Sequence, residues 1–494
     1  MLQNLKYLFK HSIVYSVSNV ASKAIGVVLL PLYSSFLSLT EFGVLGILEV
    51  TIAIFVEVVN LGLGPALVML NNAKENENKR KQILFTIFLT SLSICLVFLL
   101  LGLLVIPHIA SYFGEPEQFK LYFRLSLIVI VLRIMNYLML NKLRADEKSV
   151  LYTVINLVKL TVTLGLTIYF VAYLKLSVAG VLYAYIIGES LNFIMLLPLM
   201  IVQMQPEFNP AIIKTAINFG VPLIFTSIAM MILNVSDRYI LKYFVNYATL
   251  GQYDLGYRIA GVLNMIIIMP MSLALIPMAY KIYNMEGDKR YFSKMMTYTT
   301  YALVWSGMAL SFFSKEIIQL FAHNPDYWPA YKVVPILVFS YVFFGMRIIA
   351  SLGLYLTKNT KYVAYTTIVV AILNILLNIV LIPKYGMMAA AYTTLIAFIV
   401  LYILSDRISA RFYKIPFENL KLFFVIVLGT GLYISVSYIA FGSLVSVIIK
   451  IILIIIFPFL LYILKFYESA EIQSIKGFYI KWKNPSNWKQ NLSN

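Results

Sequence analysis

Long apolar runs follow one another along most of the chain, and short polar connections separate them. Many runs hold 18 or more residues with few charges, the length of helix that crosses the hydrocarbon core of a bilayer. Alternation of polar and apolar residues over about ten positions, the signature of transmembrane strands, is absent from the sequence. Because backbone groups in lipid must find partners within their own segment, the pattern predicts membrane-spanning helices.

The boundaries between the runs coincide with turn and charge signals, among them 71–81, 114–116, 142–148 and 324–326. We therefore predict an all-α polytopic membrane protein with about fourteen transmembrane helices. The predicted spans are residues 12–36, 42–70, 82–107, 117–141, 149–172, 176–203, 214–241, 249–276, 292–314, 332–356, 361–383, 386–405, 420–441 and 443–465.

Composition supports the same class of protein. Hydrophobic residues make up 61% of the chain and charged residues 12%, a balance that excludes a soluble domain of this size. The single cysteine, Cys95, lies inside an apolar run, which excludes a disulfide framework and a thiol-based metal site. The first apolar run is too long for a secretory signal and lacks a small-residue cleavage site, so we expect it to remain as a span.

The formal net charge of +18 has a topological explanation. Lysine and arginine are concentrated at the two termini and in the connections that follow even-numbered spans. Connections rich in lysine and arginine face the cytoplasm. This distribution predicts that both termini are cytoplasmic, which requires an even number of spans. It also accounts for the basic balance without a nucleic-acid partner.

The chain carries a weak internal repeat. Residues 144–153 are echoed by residues 357–366, and residues 175–183 by residues 384–392. Repeats of equal orientation predict two pseudo-symmetric helical bundles with a V-shaped central cavity between them, whose rocking gives alternating access. The predicted divisions are an N-terminal bundle, a C-terminal bundle, two further spans and a cytoplasmic basic tail, at residues 1–205, 206–410, 411–467 and 468–494.

Residues 216–258 carry the clearest family signal. They resemble the start of the C-terminal half of bacterial polysaccharide flippases of the Wzx or O-antigen translocase type. This stretch corresponds to FGxPL, NxxDRYxL and GxYxxxYK, with Arg258 as the final basic residue. Residues 373–386 resemble a further element, LNxxLNxxLIPxxGxxGA, from which the chain departs at Ala389, where glycine is usual. The matching positions in residues 216–258 are Phe219, Gly220, Pro222, Leu223, Asn234, Asp237, Arg238, Tyr239, Gly251, Tyr253 and Tyr257.

The resemblance implies a MATE-like fold in the multidrug/oligosaccharidyl-lipid/polysaccharide exporter superfamily. It further implies a transporter, not an enzyme, that moves an undecaprenyl-diphosphate-linked oligosaccharide from the inner to the outer leaflet of a bacterial cytoplasmic membrane. The polysaccharide would be an O-antigen, a capsule or another glycan. The expected partners are the lipid-linked oligosaccharide and membrane lipids, with a polysaccharide polymerase and glycosyltransferases as candidates.

Charged side chains inside the spans are the candidate functional residues, because a charge in the bilayer core is costly and marks a water-filled path or a pair. Cations facing a cavity would give charge-assisted hydrogen bonds to a diphosphate. Two simpler explanations stay open: Lys23 pairs with Glu49 or Glu57, and Asp254 and Arg258 neutralise each other at i,i+4 spacing. The predicted cationic cavity residues are Lys23, Arg133, Lys159, Arg347 and Arg258.

Carboxylates inside the spans are candidates for coupling transport to an ion. The sequence has no GxxxxGK[ST] phosphate-binding loop, so we do not expect ATP hydrolysis by this chain. We expect no bound cofactor and no metal site, with H⁺ or Na⁺ as the candidate coupling ions. The coupling candidates are Glu57, Glu49, Glu189 and Asp254.

Four other functions are compatible with a polytopic chain. A lipid II flippase would need nearly the same chemistry with a different head group. A multidrug exporter of the same superfamily would favour an acidic cavity, whereas the basic residues within these spans match or outnumber the acids. A membrane polymerase or ligase would need longer extracytoplasmic loops than the one at 315–331, and a lipid scaffold would need no cavity at all.

Overall fold

Helices make up all the regular secondary structure in the described part of the chain. The computed structural model describes residues 26–111, 116–437, 443–464, 466–468 and 473. The tail predicted at 468–494 therefore lies almost entirely outside the described residues, as does most of the first predicted span.

Polar caps and prolines set where the first helices begin. The Ser38 hydroxyl accepts a hydrogen bond from the Glu41 amide at 3.2 Å, and the Ser38 amide donates to the Glu41 carboxylate at 2.7 Å. This reciprocal capping satisfies two donors at the start of the helix. The helices up to residue 205 are α1, Leu30–Phe36; α2, Leu39–Val59; α3, Leu63–Asn72; α4, Arg80–Ala110; α5, Pro116–Ala145; α6, Ser149–Ile168; and α7, Ser177–Ile201, with a 3₁₀ turn at Lys74–Lys79 and a π turn at Tyr169–Tyr173.

Polar caps and prolines also mark where later helices begin. The Asn209 side chain accepts a hydrogen bond from the Ala211 amide at 3.0 Å, and Pro210 occupies the first helical position. The helices after residue 205 are α8, Pro210–Phe244; α9, Tyr247–Leu263; α10, Met269–Ile282; α11, Asp288–Phe312; α12, Ser314–Phe321; α13, Val334–Ala350; α14, Leu352–Leu356; α15, Lys361–Phe412; α16, Asn419–Ser437; and α17, Ser443–Ile463, with a π turn at Asn264–Ile268 and a 3₁₀ helix at Pro325–Lys332.

The described residues contain ten helices that are long and apolar enough to cross a membrane, or eleven if the bent helix α8 counts as one span. Helix α8 bends by 45° between Pro210–Pro222 and Ser227–Phe244. Pro222 explains the bend, because its ring removes one backbone donor and crowds the preceding turn. The prediction of an all-α polytopic membrane protein is confirmed, while the count of fourteen spans and the orientation in the membrane stay predictions.

The second predicted span, 42–70, is wrong as a single helix. Helix α2 ends at Val59, and the next two turns of apolar sequence belong to the separate helix α3. Leu61 and Gly62 both have positive φ angles, 49° and 67°, which a right-handed helix does not contain. High hydropathy continues across this break, although Asn60 and the Gly64-Pro65 dipeptide are turn signals beside it.

The longest helical stretch, α15, is a hairpin of two helices. A straight helix of 52 residues would be about 78 Å long, well beyond the thickness of a bilayer. Gly386 interrupts it with φ 55° and ψ −135°. The Thr393 hydroxyl donates a hydrogen bond to the side-chain Oδ1 of Asn378, although the two residues would lie about 22 Å apart in a straight helix. The division predicted between residues 383 and 386 agrees with this turn.

Connections that alternate along the sequence gather at opposite ends of the bundle. At one end, the Ser34 hydroxyl donates to the Phe321 backbone carbonyl at 2.8 Å, and the Gln252 side-chain amide donates to the Asp326 backbone carbonyl at 2.8 Å. At the other end, the Gln205 amide donates to the Lys81 carbonyl at 3.3 Å. We call them the Ser34 end and the Lys81 end. The Ser34 end carries predicted outer connections and the Lys81 end predicted cytoplasmic ones.

The first and second halves of the chain approach closely at two glycine pairs. At the Ser34 end, a Cβ atom on Gly43 would lie 2.1 Å from the Tyr247 carbonyl oxygen, and one on Gly251 would lie 2.5 Å from the Leu39 carbonyl oxygen. Toward the Lys81 end, a Cβ atom on Gly62 would lie 2.5 Å from the Cα of Gly220. Helix α2 rises by about 24 Å from Gly43 to its last residue, Val59, which is most of the thickness of a hydrocarbon core. Backbone therefore packs on backbone near both ends of α2.

Candidate functional site: a charged cavity

A cavity of about 450 Å³ has Glu49 and Val56 of α2 in its wall, and both residues lie between Gly43 and Gly62 along the chain. Helices α1, α2, α5, α6 and α7 form most of its wall, and α9 contributes Arg258 from the second half of the chain. The volume is within the range of sites for small molecules. The charged wall residues are Glu49, Arg133, Lys159, Glu189 and Arg258, and the polar ones are Tyr33, Asn136, Tyr137, Asn156, Thr163 and Tyr185.

One cluster of the wall is centred on the Glu189 carboxylate. Its Oε1 lies 2.7 Å from Nζ of Lys159 and 3.2 Å from Nε of Arg133. The Asn136 side-chain amide donates to Glu189 Oε2 at 2.8 Å and to the Glu189 carbonyl at 2.9 Å. Helices α5, α6 and α7 are thereby joined by hydrogen bonds to one side chain.

A second cluster is centred on the Arg258 guanidinium. Its Nε donates to Asp254 at 2.7 Å, one turn earlier on α9, and its Nη2 donates to Glu49 on α2 at 2.6 Å. The other oxygen of Glu49 accepts a hydrogen bond from the Tyr185 hydroxyl at 2.6 Å. Tyr185 also lies under Arg133, whose guanidinium carbon is 5.1 Å from the centre of the ring. Tyr185 therefore connects the two clusters.

Behind Arg258 lies a smaller cavity of about 210 Å³. Glu49 and Arg258 belong to the walls of both cavities, so their ion pair lies at the boundary between them. The smaller cavity also contacts Arg238, which donates to Asp254 at 3.0 Å and is itself buried. Asp254 is thus held between two arginines. The absence of a side chain at Gly46 leaves room for the Asp254 carboxylate, because a Cβ atom on Gly46 would lie 3.3 Å from it.

The described wall of the larger cavity carries three cations and two carboxylates. The surplus of positive charge favours an anionic occupant, because fields are strong where little water screens them. Arg133 and Lys159 keep 30% and 27% of their side-chain surface exposed, whereas the Glu189 side chain keeps 4%. The two cations are therefore more accessible than the Glu189 carboxylate, which belongs to the same wall but is almost fully covered.

The structure brings together most of the residues singled out from the sequence. Arg133, Lys159 and Arg258 line one cavity with Glu49 and Glu189, and Asp254 contacts Arg258 directly. The neutralising Asp254–Arg258 pair considered from the sequence is present, although Arg258 also binds Glu49.

Three predicted residues are not part of this arrangement. Arg347 does not line the cavity, because it lies on the face of α13 that packs against α15, where its Nη2 donates to the Thr367 hydroxyl at 3.3 Å. Glu57 is half-buried on α2 and makes no ion pair among the described residues. Lys23 lies outside the described residues.

Two residues that complete the site, Asn136 and Tyr185, are not among those predicted from the sequence. Asn136 follows Arg133 by three positions, and Tyr185 precedes Glu189 by four, so each pair shares one face of a helix. Helical spacing from the deep charges was therefore a usable signal for both. The pairing of Arg238 with Asp254 had no such signal, because the two residues lie on different helices.

Together the fold and the cavity define a multi-pass membrane protein with a charged chamber lined by both halves of the chain. The polysaccharide biosynthesis protein family matches residues 8–283, which is more than half of the chain, and the chain belongs to this family. The MatE family matches residues 222–380.

Solved structures show where this fold occurs. An inward closed conformation of the lipid II flippase MurJ superposes with a TM-score of 0.74 at 17% identity, over 91% of this chain and 99% of the other. An inward-facing multidrug resistance MATE family transporter of the MOP superfamily gives a TM-score of 0.66 at 15% identity, over 80% and 94% of the two chains. At these identities the likeness is one of fold.

A relative in sequence is an uncharacterised membrane protein of Methanocaldococcus jannaschii, 23% identical over 385 residues, or 72% of this chain and 74% of the relative. The superfamily and the MATE-like fold expected from the sequence are confirmed. The Wzx type and the residue boundaries of the two bundles stay predictions.

Proposed function

We propose that the protein is a flippase that moves an undecaprenyl-diphosphate-linked oligosaccharide from the inner to the outer leaflet of a bacterial cytoplasmic membrane. The observation that carries this proposal is the placement of Arg133 and Lys159 across a cavity wall that also holds Arg258 from the other half of the chain. Family membership supports a role in making polysaccharide.

The cations suit a diphosphate. Two linked phosphates carry several negative oxygens, and arginine and lysine donors form short, charge-assisted hydrogen bonds with them. Arg133 and Lys159 can serve one phosphate from the first half of the chain. Arg258 can serve the other from the second half, so the substrate bridges both halves.

The neutral polar wall suits the sugar. Tyr33, Asn156 and Thr163 line the same cavity and offer hydroxyl and amide groups to sugar hydroxyls. The lipid chain needs no pocket of its own, because it can stay in the bilayer while the head group enters between the halves.

Alternating access requires that the glycine contacts open one at a time. In this conformation the halves touch at Gly43–Gly251 and again at Gly62–Gly220. Rocking about either contact would expose the cavity at the opposite end. We propose H⁺ or Na⁺ as the coupling ion, with Glu57 as the first candidate site, because it forms no ion pair among the described residues whereas Glu49, Glu189 and Asp254 do.

Polymerisation and sugar assembly are reactions for other proteins. The proposed substrate must be made by glycosyltransferases on the cytoplasmic side and consumed by a polymerase or ligase on the outer side, and these enzymes are the expected partners.

Two alternatives share the fold. A lipid II flippase is favoured by the likeness to the MurJ structure, and the cavity chemistry would be the same. A multidrug exporter is favoured by the MatE match, but a wall with surplus positive charge opposes a cationic drug.

Proteoliposomes distinguish the three. Purified protein is reconstituted with an undecaprenyl-diphosphate-linked oligosaccharide, with lipid II or with ethidium, and the appearance of each compound on the far side is followed. The proposal predicts transport of the oligosaccharide lipid, with loss of at least about tenfold in rate when Arg133 and Lys159 are both changed to Gln. Transport of ethidium alone would overturn it, and transport of lipid II alone would narrow the function to that substrate.

A further inference from the structure

We propose that Glu189 is a positioning residue for the phosphate site. From its covered position in the cavity wall it fixes Arg133 and Lys159 so that their remaining donors meet the ligand. The inference rests on the proposed function and deepens it, because it assigns the residue that shapes the anion site.

Burial separates the anchor from the groups it anchors. The Glu189 side chain is 4% exposed, against 30% for Arg133 and 27% for Lys159. A phosphate that enters from the cavity reaches the cations first, and it does not need to displace the carboxylate.

Glu189 is itself held firmly. The Asn136 amide donates to its Oε2 at 2.8 Å and to its backbone carbonyl at 2.9 Å, which ties α5 to α7 at this point. With Lys159 and Arg133 on Oε1, both carboxylate oxygens have partners. A side chain fixed on both oxygens is suited to orient its neighbours.

One nitrogen of the Arg133 guanidinium binds Glu189, and the other two are available to a ligand. Its Nε alone contacts Glu189, and no hydrogen bond involves Nη1 or Nη2 within the described ranges. The guanidinium plane is further restrained by the Tyr185 ring, 5.1 Å away. Two terminal nitrogens in a fixed plane are the geometry that binds a phosphate in a bidentate manner. Lys159 likewise uses one of its three donors on Glu189.

The second half of the chain repeats the arrangement. Arg258 is held at Nε by Asp254, a carboxylate that is also 4% exposed at its side chain. Each half therefore fixes one cavity arginine through Nε from a buried carboxylate. This recurrence indicates that anchoring, rather than simple neutralisation, is what the buried carboxylates do.

A neutralising role and a positioning role for Glu189 predict opposite effects on anion binding when its charge is removed. If the carboxylate only neutralised the cations, removing its charge would raise the positive surplus and tighten anion binding. If it positions the cations, removing its charge loosens both of them and weakens anion binding despite the added surplus.

The test uses the full-length protein in detergent and inorganic pyrophosphate as the probe, with affinity measured by calorimetry. Glu189→Gln is compared with wild type, with Glu189→Asp, and with Glu316→Gln as matched control. Glu316 also pairs with a lysine, Lys450, but does not line the cavity. We expect Glu189→Gln to weaken binding roughly tenfold, Glu189→Asp to restore part of the loss, and Glu316→Gln to bind as wild type does.

The outcomes separate this inference from the proposed function. Wild-type-like or tighter pyrophosphate binding by Glu189→Gln overturns the positioning role and leaves the flippase proposal intact. Absence of pyrophosphate binding by wild type overturns both. If Glu189→Gln fails to fold, Glu189→Asp serves as the test, because it keeps the negative charge but moves it. Pyrophosphate affinity equal to that of wild type in Glu189→Asp would contradict the positioning role. In proteoliposomes the same variants should raise KM for the lipid substrate more than they lower kcat.

Discussion

The Nη2 atom of Arg258 lies 2.6 Å from Oε2 of Glu49, and this ion pair joins the second half of the chain to the first. Both side chains line the cavity, with 16% and 24% of their surface exposed. A phosphate that binds Arg258 competes with Glu49 for the same guanidinium. Substrate binding would therefore weaken a contact between the halves, which links occupancy of the cavity to their relative motion.

Glu49→Gln tests the strength of that contact. The variant removes the charge that faces Arg258 and should lower the free energy of unfolding by about 1–3 kcal/mol, because the pair is largely screened from solvent. Thermal unfolding of the purified protein measures the effect. Glu117→Gln is the matched control, since the Glu117–Lys120 pair leaves 87% of the Glu117 side chain exposed and should have little effect. Equal losses in both variants would contradict the assignment.

Gly43→Val tests the glycine contact at the Ser34 end. A Cβ atom there would lie 2.1 Å from the Tyr247 carbonyl oxygen, so α2 and α9 must separate. We expect transport to be lost and thermal stability to fall. Gly165→Val is the control, because a Cβ atom on Gly165 has no atom within 4 Å. Retained transport in Gly43→Val would show that the halves need not approach so closely during the cycle.

Glu418 makes stability depend on pH at the Lys81 end. Burial alone would raise the pKa of this carboxyl, but hydrogen bonds from Lys421, Thr297 and Lys294 outweigh burial and lower the pKa from 4.5 to about 2. A folded-state pKa below the unfolded value contributes stability above about pH 4.5, and that stability is lost as the pH falls toward 2. We expect Glu418→Gln to have a lower Tm than wild type at pH 7, and the difference to shrink steadily below pH 4.5. A difference in Tm that is the same at pH 7 and pH 3 would contradict this role of Glu418.

Arg347 is a buried cation with little compensation. It is 7% exposed, its Nε has no hydrogen-bond partner, and the described residues give it only a 3.3 Å bond to Thr367. Replacing such a group with an apolar one of similar length removes a desolvation cost. We expect Arg347→Met to leave Tm unchanged or raise it. A fall of several degrees would reveal a partner for Arg347 outside the described part of the chain.

The sequence predicted well what depends on local spacing. Hydropathy located most spans, and the depth of Arg133 and Glu189 within them marked both as candidates. The Asp254–Arg258 pair followed from helical periodicity and is present at 2.7 Å. Each of these features belongs to a single helix, in which the spacing of residues along the chain determines which of them share a face.

Contacts between distant helices were beyond the reach of the pattern. Glu49 and Arg258 form an ion pair although 209 positions separate them in the sequence, and neither segment carries a pattern that indicates the other as its partner. The break at Gly62 lies inside a stretch of high hydropathy, so hydropathy placed one span across it, although Asn60 and Gly64-Pro65 are turn signals. Arg347 looked like a cavity residue by depth, but the face that it presents is set by how α13 packs on α15.

In the proposed mechanism the cavity binds a diphosphate through its cations. The most direct measurement is the affinity of the full-length wild-type protein and of the Arg133→Gln, Lys159→Gln double variant for inorganic pyrophosphate, each titrated at two salt concentrations. Wild type should bind pyrophosphate, added salt should weaken this binding, and the double variant should bind roughly a hundredfold more weakly. Equal affinity of the two proteins, or preferential binding of a cation such as ethidium by wild type, would show that Arg133 and Lys159 do not form a diphosphate site.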